Sequence, residues 1–218
     1  MEQIKGNSIA VFNSNDIYPI SADSELPFEQ HRDLFHLTGI DQEETILLLY
    51  PKSKDYQTRE ILFIRKSDNH TKVWEGEKLS KKQANELSGI DNIYFIEDFK
   101  DVLSSIATKI DTFYINKNEH YRANSPVETR EDRFISWLLK KYPSHNVAKS
   151  NPILQRQRSI KHPNEIDQIR RACEITGKGF NRVLKFIKPN IWEYEIEAEF
   201  IHEFINNSSK GFAYSPII

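Results

Sequence analysis

The feature that most constrains the fold is an alternation of short, β-rich apolar runs with helical stretches over the first two thirds of the chain. The strand candidates are Ser8 to Phe12, Thr45 to Tyr50, Glu60 to Ile64, Ile93 to Ile96 and Thr112 to Ile115. The helix candidates are Ser80 to Leu87, Phe99 to Lys109 and Arg130 to Lys140. Strands that alternate with helices predict an α/β fold in which the helices cover a sheet.

Two of these runs also predict how the sheet begins to pair. Thr45 to Tyr50 is apolar almost throughout, which is typical of a strand buried on both faces. Glu60 to Ile64 follows after a polar connection and is therefore predicted to be its hairpin partner. Ser80 fits a helix N-cap, and Gly89 fits the C-terminal end of the same helix.

The texture of the sequence changes after about residue 150. Asn151 to Leu154 is predicted to be a short extended segment, and the polar, basic run from Gln155 is predicted to be a linker. A long helix then begins at Pro163, whose missing N–H costs nothing in the first helical turn. A second helix is predicted from Trp192 to Asn206, and Ser215 to Ile218 is predicted to begin a strand.

This organisation predicts a first domain over residues 1–150, a linker over 151–162 and the start of a second domain over 163–218. Two helices and the beginning of a strand form a thin core for about 60 residues. An unpaired strand also leaves backbone groups without partners. We therefore expect the second domain to be incomplete in this chain.

Composition excludes several classes of function. The 30 Lys and Arg residues nearly balance the 32 Asp and Glu residues, for a net charge of −2, so the charge gives no reason to expect a nucleic acid or an anionic membrane as partner. The longest apolar run, Ile46 to Tyr50, is far shorter than the roughly 20 residues of a membrane-spanning helix. The single cysteine cannot form an internal disulfide. A cytoplasmic protein is the simplest interpretation, and removal of an N-terminal signal is the alternative.

A few residues are candidates for chemistry. Glu199 and His202 stand at i and i+3 on a predicted helix, where they could bind a metal, although a surface Glu–His pair is the favoured interpretation. Cys173 lies on the apolar face of its helix and is predicted to be buried and inert. Arg156, Arg158 and other basic residues before Pro163 could contact phosphate, but a linker between domains is favoured.

Three stretches together resemble the Xaa-Pro aminopeptidase, or aminopeptidase P, family. The first is Pro27 to Gly39, although Glu29 stands where that family usually has arginine and Asp33 also departs from its pattern. The second is Pro152 to Leu154 followed by Arg158 to Lys161 and Glu165-Ile166. The third comprises Arg171 to Thr176, Lys188-Pro189, Glu193 to Phe204 and Gly211 to Tyr214. Their order and spacing cover nearly the whole chain.

The resemblance implies a creatinase-type N-terminal domain with a mixed sheet flanked by helices, followed by the first helices of an incomplete "pita-bread" metallopeptidase domain. It further implies two Mn²⁺ ions in the full-length protein, proline-containing peptides as substrates and a homo-oligomer, with no nucleic acid and no membrane as partner. The family's metal ligands follow the point that matches Tyr214. The resemblance therefore carries no catalytic and no metal-binding residue onto this chain, and we expect the chain alone to be inactive.

Two residues remain candidates for substrate contact on the basis of the resemblance. Trp74 matches a tryptophan that in such oligomers reaches a neighbouring subunit's active site; the alternative is local packing. Tyr214 is the second candidate. The resemblance also leaves open a non-catalytic peptide- or protein-binding module of the same fold, and a relative of the prolidases or creatinases.

Overall fold

The computed structural model describes residues 3–67, 69–118, 120 and 126–217, with the backbone alone for 69–71. The strands are β1 (Ser8–Asn13), β2 (Pro19–Ser21), β3 (Ser24–Glu25), β4 (Ile46–Leu49), β5 (Glu60–Ile64), β6 (Ile93–Phe95), β7 (Thr112–Ile115) and β8 (Asn146–Lys149). The helices are α1 (Arg32–Thr38), α2 (Asn69–Trp74), α3 (Lys81–Ser88), α4 (Phe99–Ala107), α5 (Arg130–Lys141), α6 (Asn151–Ser159), α7 (Pro163–Phe186) and α8 (Glu193–Asn206). They fall into two compact units, residues 1–157 and 158–218.

The first unit contains a six-stranded mixed sheet in the order β6-β5-β4-β1-β7-β8. Strand β4 pairs antiparallel with both β1 and β5, which confirms the predicted hairpin. The other pairs in this sheet are parallel, so β1, β5, β6, β7 and β8 run in one direction and β4 runs against them. The carboxyl ends of those five strands therefore lie at one edge, called here the carboxyl edge of the sheet.

Helices cover both faces of this sheet because successive side chains of a strand point to opposite sides. On one face, Ile9, Val11 and Phe63 pack in a cluster with residues of α4 and α5. On the other face, Ala10 and Phe12 pack in a cluster that includes residues of α1, α3 and α6. The predicted α/β fold, a mixed sheet flanked by helices, is confirmed.

The contacts at the two ends of α3 explain why its bounds could be predicted from Ser80 and Gly89. Ser80 accepts a hydrogen bond from the Gln83 N–H at 3.3 Å, and the Gln83 side chain accepts one from the Ser80 N–H at 2.9 Å, which forms a capping box. Gly89 follows α3 with φ of 70°, a conformation that glycine adopts without steric cost. The predicted start and stop of this helix are therefore confirmed.

The predicted extended segment from Asn151 to Leu154 is wrong, because these residues form the first turn of α6. The carbonyl of Ser150 accepts hydrogen bonds from the N–H groups of Ile153 at 2.9 Å and Leu154 at 3.1 Å. Pro152 is tolerated there because the first N–H groups of a helix have no intrahelical partner. Leu154 is buried and belongs to one of the two core clusters, so burial reinforces the helix.

The second unit is built on α7 and α8. The side chain of Arg182 bonds Glu199, and Lys178 donates to Asn207 at 2.6 Å, so the two helices run antiparallel. The Phe180 ring meets the Phe200 ring edge-on at 5.0 Å between centroids. The predicted strand beginning at Ser215 is absent: residues 215–217 form no strand, and Ile218 lies outside the described residues.

Candidate functional site

Several polar side chains gather at the carboxyl edge because each follows a buried strand. Asn13 ends β1, Asn116 follows β7, and Ser150 follows β8. Asn13 Nδ2 donates to Glu131 Oε2 at 2.7 Å, and the Asn116 N–H donates to Glu131 Oε1 at 3.2 Å. Asn116 Nδ2 also donates to Asp33 Oδ2 at 3.0 Å. This polar network ties α1 and α5 to the ends of β1 and β7.

The carboxyl group of Glu131 has a shifted pKa. Burial raises the pKa of its carboxyl group, because a charged carboxylate loses its hydration there. The two hydrogen bonds from Asn13 and Asn116 favour the ionised form and only partly offset that effect. A carboxyl group with a raised pKa at the ends of parallel strands can accept or hold a proton.

A second group at the same edge holds the segment that follows Trp74. Arg65, just after β5, makes a bidentate pair with Glu75, at 2.6 Å to Oε2 and 3.1 Å to Oε1. Arg65 also donates to Glu43 Oε1 at 2.9 Å, and Lys78 Nζ lies 2.7 Å from the same oxygen. We call these four residues the Arg65 clamp.

The clamp is electrostatically balanced. Burial alone would raise the pKa of Glu43, but hydrogen bonds from Lys78 and Arg65 outweigh it, and the net pKa lies below the ordinary value. The Arg65 guanidinium likewise lowers the pKa of Glu75. Both carboxylates therefore stay ionised near neutral pH, and the segment from Glu75 to Lys78 stays attached to the sheet.

Trp74 is the last residue of α2, directly before this clamped segment, and its side chain is 77% exposed. The choice between substrate contact and local packing stays a prediction for this residue. The clamp fixes the position of the backbone next to Trp74 and leaves the ring facing solvent. The sequence offers no sign of this clamp, because Glu43, Arg65 and Glu75 come from separate segments of the chain.

Tyr214, the other candidate for substrate contact, is 81% exposed and lies in the second unit, outside its helices. Cys173 is exposed, so its predicted burial is wrong. The prediction rested on the apolar residues near Cys173 in α7, but α8 packs on a later part of that helix, around Gly179 and Val183, which are buried. Glu199 pairs with Arg182 across the two helices, which explains it without a metal.

The described residues do not fit a metal centre. Among residues 3–67, 69–118, 120 and 126–217, no group of three or more His, Cys, Asp or Glu side chains could hold a metal ion. Divalent cations need several such ligands converging on one point. Within the same residues, no helix is long and apolar enough to cross a membrane.

Comparison with known proteins decides the family. The sequence profile described as "Aminopeptidase P, N-terminal domain" matches residues 1–114, which is more than half of the chain. The chain belongs to the aminopeptidase P family. The profile of metallopeptidase family M24 matches residues 167–218, so the second unit resembles the beginning of that metallopeptidase domain.

Individual members of the aminopeptidase P family agree with this assignment. The Xaa-Pro aminopeptidase of Escherichia coli is 28% identical over 224 residues, covering 100% of this chain and 49% of its own length. A candidate aminopeptidase P structure from Bacillus anthracis superposes with a TM-score of 0.89 at 26% identity, covering 98% of this chain and 50% of its own. A structure of the Escherichia coli enzyme gives a TM-score of 0.79. The chain spans about half the length of the relatives it matches.

Proposed function

We propose that this chain is the N-terminal part of a metal-dependent Xaa-Pro aminopeptidase, which releases the N-terminal residue that precedes proline. The observation that carries the proposal is the order of the two matches: an aminopeptidase P N-terminal domain over residues 1–114, then M24 metallopeptidase sequence over 167–218. Similarity to the Escherichia coli Xaa-Pro aminopeptidase runs through both matched regions.

Metal dependence follows from the family rather than from residues of this chain. Membership of a metallopeptidase family implies a metal, and the Escherichia coli aminopeptidase P has been solved in a zinc-substituted form. We assign the metal, expected as two Mn²⁺ ions, to residues outside this chain, because the metal ligands of the family that the chain resembles follow the point that matches Tyr214. On this proposal the 218-residue chain alone has no peptidase activity.

The division 1–150, 151–162 and 163–218 gives each part a role. The first domain provides the sheet and a rigid base for Trp74, and the second begins the metallopeptidase domain. Large apolar side chains of α7 and α8 are exposed, for example Leu184 at 70% and Ile205 at 63%. Exposed large apolar side chains on paired helices support the proposal that another part of the protein packs against these helices.

Trp74 is proposed to contact the peptide bound by a neighbouring subunit of a homo-oligomer, with Tyr214 as a second contact residue. An indole ring has a large contact area and restricted side-chain freedom, which suits it to recognition between molecules. Its exposure beside the Arg65 clamp supports this role. We also propose a cytoplasmic location, which is the simplest interpretation of the sequence.

The same exposed apolar side chains favour a second candidate, a non-catalytic module that binds a peptide or protein. That function needs the fold and a binding surface but no metal. The two candidates differ in a single measurable respect, which is hydrolysis before proline.

The test measures hydrolysis of the peptide Ala-Pro-Ala, with Ala-Ala-Ala as control, by this chain and by the longest product of its gene. The two peptides differ only at the second residue, where alanine carries a backbone N–H that proline lacks. We expect hydrolysis of Ala-Pro-Ala by the longer product with Mn²⁺, loss of that activity with a chelator, and none from the 218-residue chain. Activity of the short chain would overturn the placement of the metal ligands; a folded longer product without activity would favour the binding module.

Trp74 is tested in the active product by comparing Trp74→Ala with Trp192→Ala, which removes another exposed indole (68% exposed) from the second unit. A substrate contact predicts a raised KM for Trp74→Ala alone. Equal kinetic constants for both variants and the unchanged enzyme would remove Trp74 from the site.

A further inference from the structure

A cavity of about 480 Å³ opens at the carboxyl edge of the sheet, between the ends of the central strands and α5. Asn13 at the end of β1 and Ile46 at the start of β4 line its base, and Phe134 of α5 lines its wall. In α/β sheets, ligands bind in the crevice outside the carboxyl ends of the strands. The volume is within the usual range of about 300–1,000 Å³ for small-molecule sites.

One wall of the cavity is aromatic. The ring of Phe134 lies 6.1 Å from that of Phe99 and 6.0 Å from that of Trp137, measured between centroids. All three side chains line the cavity and keep part of their surface against one another. A second aromatic or branched aliphatic group can pack against such a wall with favourable ring contacts.

The charged side chains around the cavity are mainly cationic. Among the described residues, Arg130, Arg133 and Lys100 line it together with one carboxylate, that of Glu97, which is exposed. Arg133 is engaged elsewhere, since its Nη2 lies 2.7 Å from Asp16 Oδ1. Lys100 lies over the Trp137 ring at 5.9 Å.

Arg130 has the least compensated charge of the cavity lining. Its side chain is half-buried, and no hydrogen bond or ion pair joins its guanidinium to any part of the chain that the structure describes. Burial lowers its pKa, and the more distant charges of Glu44 and Asp16 only partly counteract that effect. A half-buried cation without a partner is costly, and a bound anion that forms hydrogen bonds with the guanidinium relieves this cost.

We propose that this cavity binds a carboxylate attached to an aromatic or branched aliphatic group, the chemistry of the C-terminal residue of a peptide. The carboxylate pairs with the Arg130 guanidinium, whose planar fork suits two parallel hydrogen bonds. The apolar group packs on the rings of Phe134 and Trp137. The site is independent of the peptidase activity proposed above, because it uses only residues of the first unit.

The test measures binding by the fluorescence of Trp137 in the 218-residue chain. The other two tryptophans, Trp74 and Trp192, are exposed and can be replaced by phenylalanine, so that Trp137 is the only reporter. The probe is N-acetyl-L-phenylalanine. Its matched control is N-acetyl-L-phenylalanine amide, which has the same acetyl group and side chain but a neutral amide in place of the carboxylate. We expect saturable binding of the acid, about tenfold or more tighter than that of the amide.

The variant Arg130→Gln is expected to weaken binding of the acid by about tenfold and to leave the amide unchanged. Arg171→Gln, which removes an exposed arginine from α7, is the control and should change neither. Equal affinity for acid and amide, or an acid that binds Arg130→Gln as tightly as the unchanged protein, would overturn the proposal. If Arg130→Gln does not fold, the comparison of acid with amide on the unchanged protein still decides.

Inorganic phosphate distinguishes the apolar part of the proposal from simple anion binding. Phosphate that competes with the acid at equal affinity would show that the aromatic wall contributes nothing, which overturns the proposed ligand class. Free 3-phenylpropionate that binds far more weakly than the acetylated amino acid would support a peptide end as the source of the carboxylate. Equal binding of the two would support a free aromatic acid of the same chemistry.

Discussion

Two glycines of α7 should respond to the same substitution with opposite signs. Gly177 and Gly179 both lie inside the helix, where alanine is favoured over glycine by about 1 kcal/mol. A Cβ built on Gly177 meets no atom within 4 Å in the part of the chain that the structure describes, whereas one on Gly179 would lie 2.8 Å from Cδ1 of Phe200. Gly177→Ala should therefore stabilise the helix pair, and Gly179→Ala should force the Phe200 ring to move.

The ring at that contact has little room to move. Phe200 lies 5.0 Å from Phe180, 5.8 Å from Phe204 and 6.1 Å from Phe212, measured between ring centroids. Overpacking in such surroundings costs about 1–3 kcal/mol, which exceeds the gain of about 1 kcal/mol in helix propensity. Gly179→Ala should thus lose about 1 kcal/mol net, and the two variants should differ by about 2 kcal/mol, or roughly thirtyfold in an equilibrium constant.

Hydrogen exchange of the α7 and α8 amides is the suitable assay, because a chain of two compact units need not unfold in a single transition. We expect slower exchange in Gly177→Ala and faster exchange in Gly179→Ala, each by about fivefold. Gly179→Ala should cost less in a Phe200→Leu background than in the unchanged protein, since the smaller side chain removes the clash; a double-mutant cycle measures this difference. Slower exchange in Gly179→Ala, equal to that of Gly177→Ala, would refute the contact with Phe200.

Two further substitutions test the first unit. Hydrogen bonds from Thr129 are the largest cause that lowers the pKa of Asp132, from 3.8 to about 2. The contribution of Asp132 to stability is therefore present above pH 3.8 and is lost as pH falls through about 2. Asp132→Asn should cost about 1 kcal/mol at pH 7, and urea unfolding of the first unit, followed by the fluorescence of Trp137 on α5, should show the difference vanish near pH 2. A constant difference across that range would contradict the assignment. Arg65→Gln removes the bidentate partner of Glu75, and exchange of the amides in residues 75–79 should rise about fivefold, whereas unchanged exchange there would mean that the clamp does not hold the segment.

The strands of the first unit could be predicted closely, and the reason is physical. The predicted bounds of β5 and β7 match the observed ones, Glu60–Ile64 and Thr112–Ile115, because these strands are β-rich, apolar and largely buried. Local pattern and tertiary burial agree at such positions. Helix α3 was predictable for a similar reason, since its caps are made by neighbouring residues of the chain.

The failures occur where a distant contact decides the structure. The start of α6 depends on Ser150, whose hydroxyl oxygen lies 2.8 Å from the Ile115 carbonyl oxygen and 3.0 Å from Asn116 Oδ1 and shares its one hydrogen between them. That anchor lies about 35 residues away along the chain, and nothing in the local sequence indicates it. The predicted burial of Cys173 was wrong for a related reason. Helical spacing predicted an apolar face, but spacing alone does not say which turn of that face the next helix will cover.

Strand direction explains why the candidate sites collect in one place. Five strands of the sheet run the same way, so the residues that follow them meet at one edge although they are far apart in sequence. Arg65 after β5 holds the Trp74 segment, Asn116 after β7 orders the Glu131 network, and Asn13 at the end of β1 lines the Arg130 cavity. The sequence reveals the strands but not their directions, because a hairpin and a crossover can join equally apolar runs. Once the single antiparallel strand β4 is placed, the polar residue after each parallel strand becomes a candidate, and that rule would have selected Arg65 and Asn116 before any contact was measured.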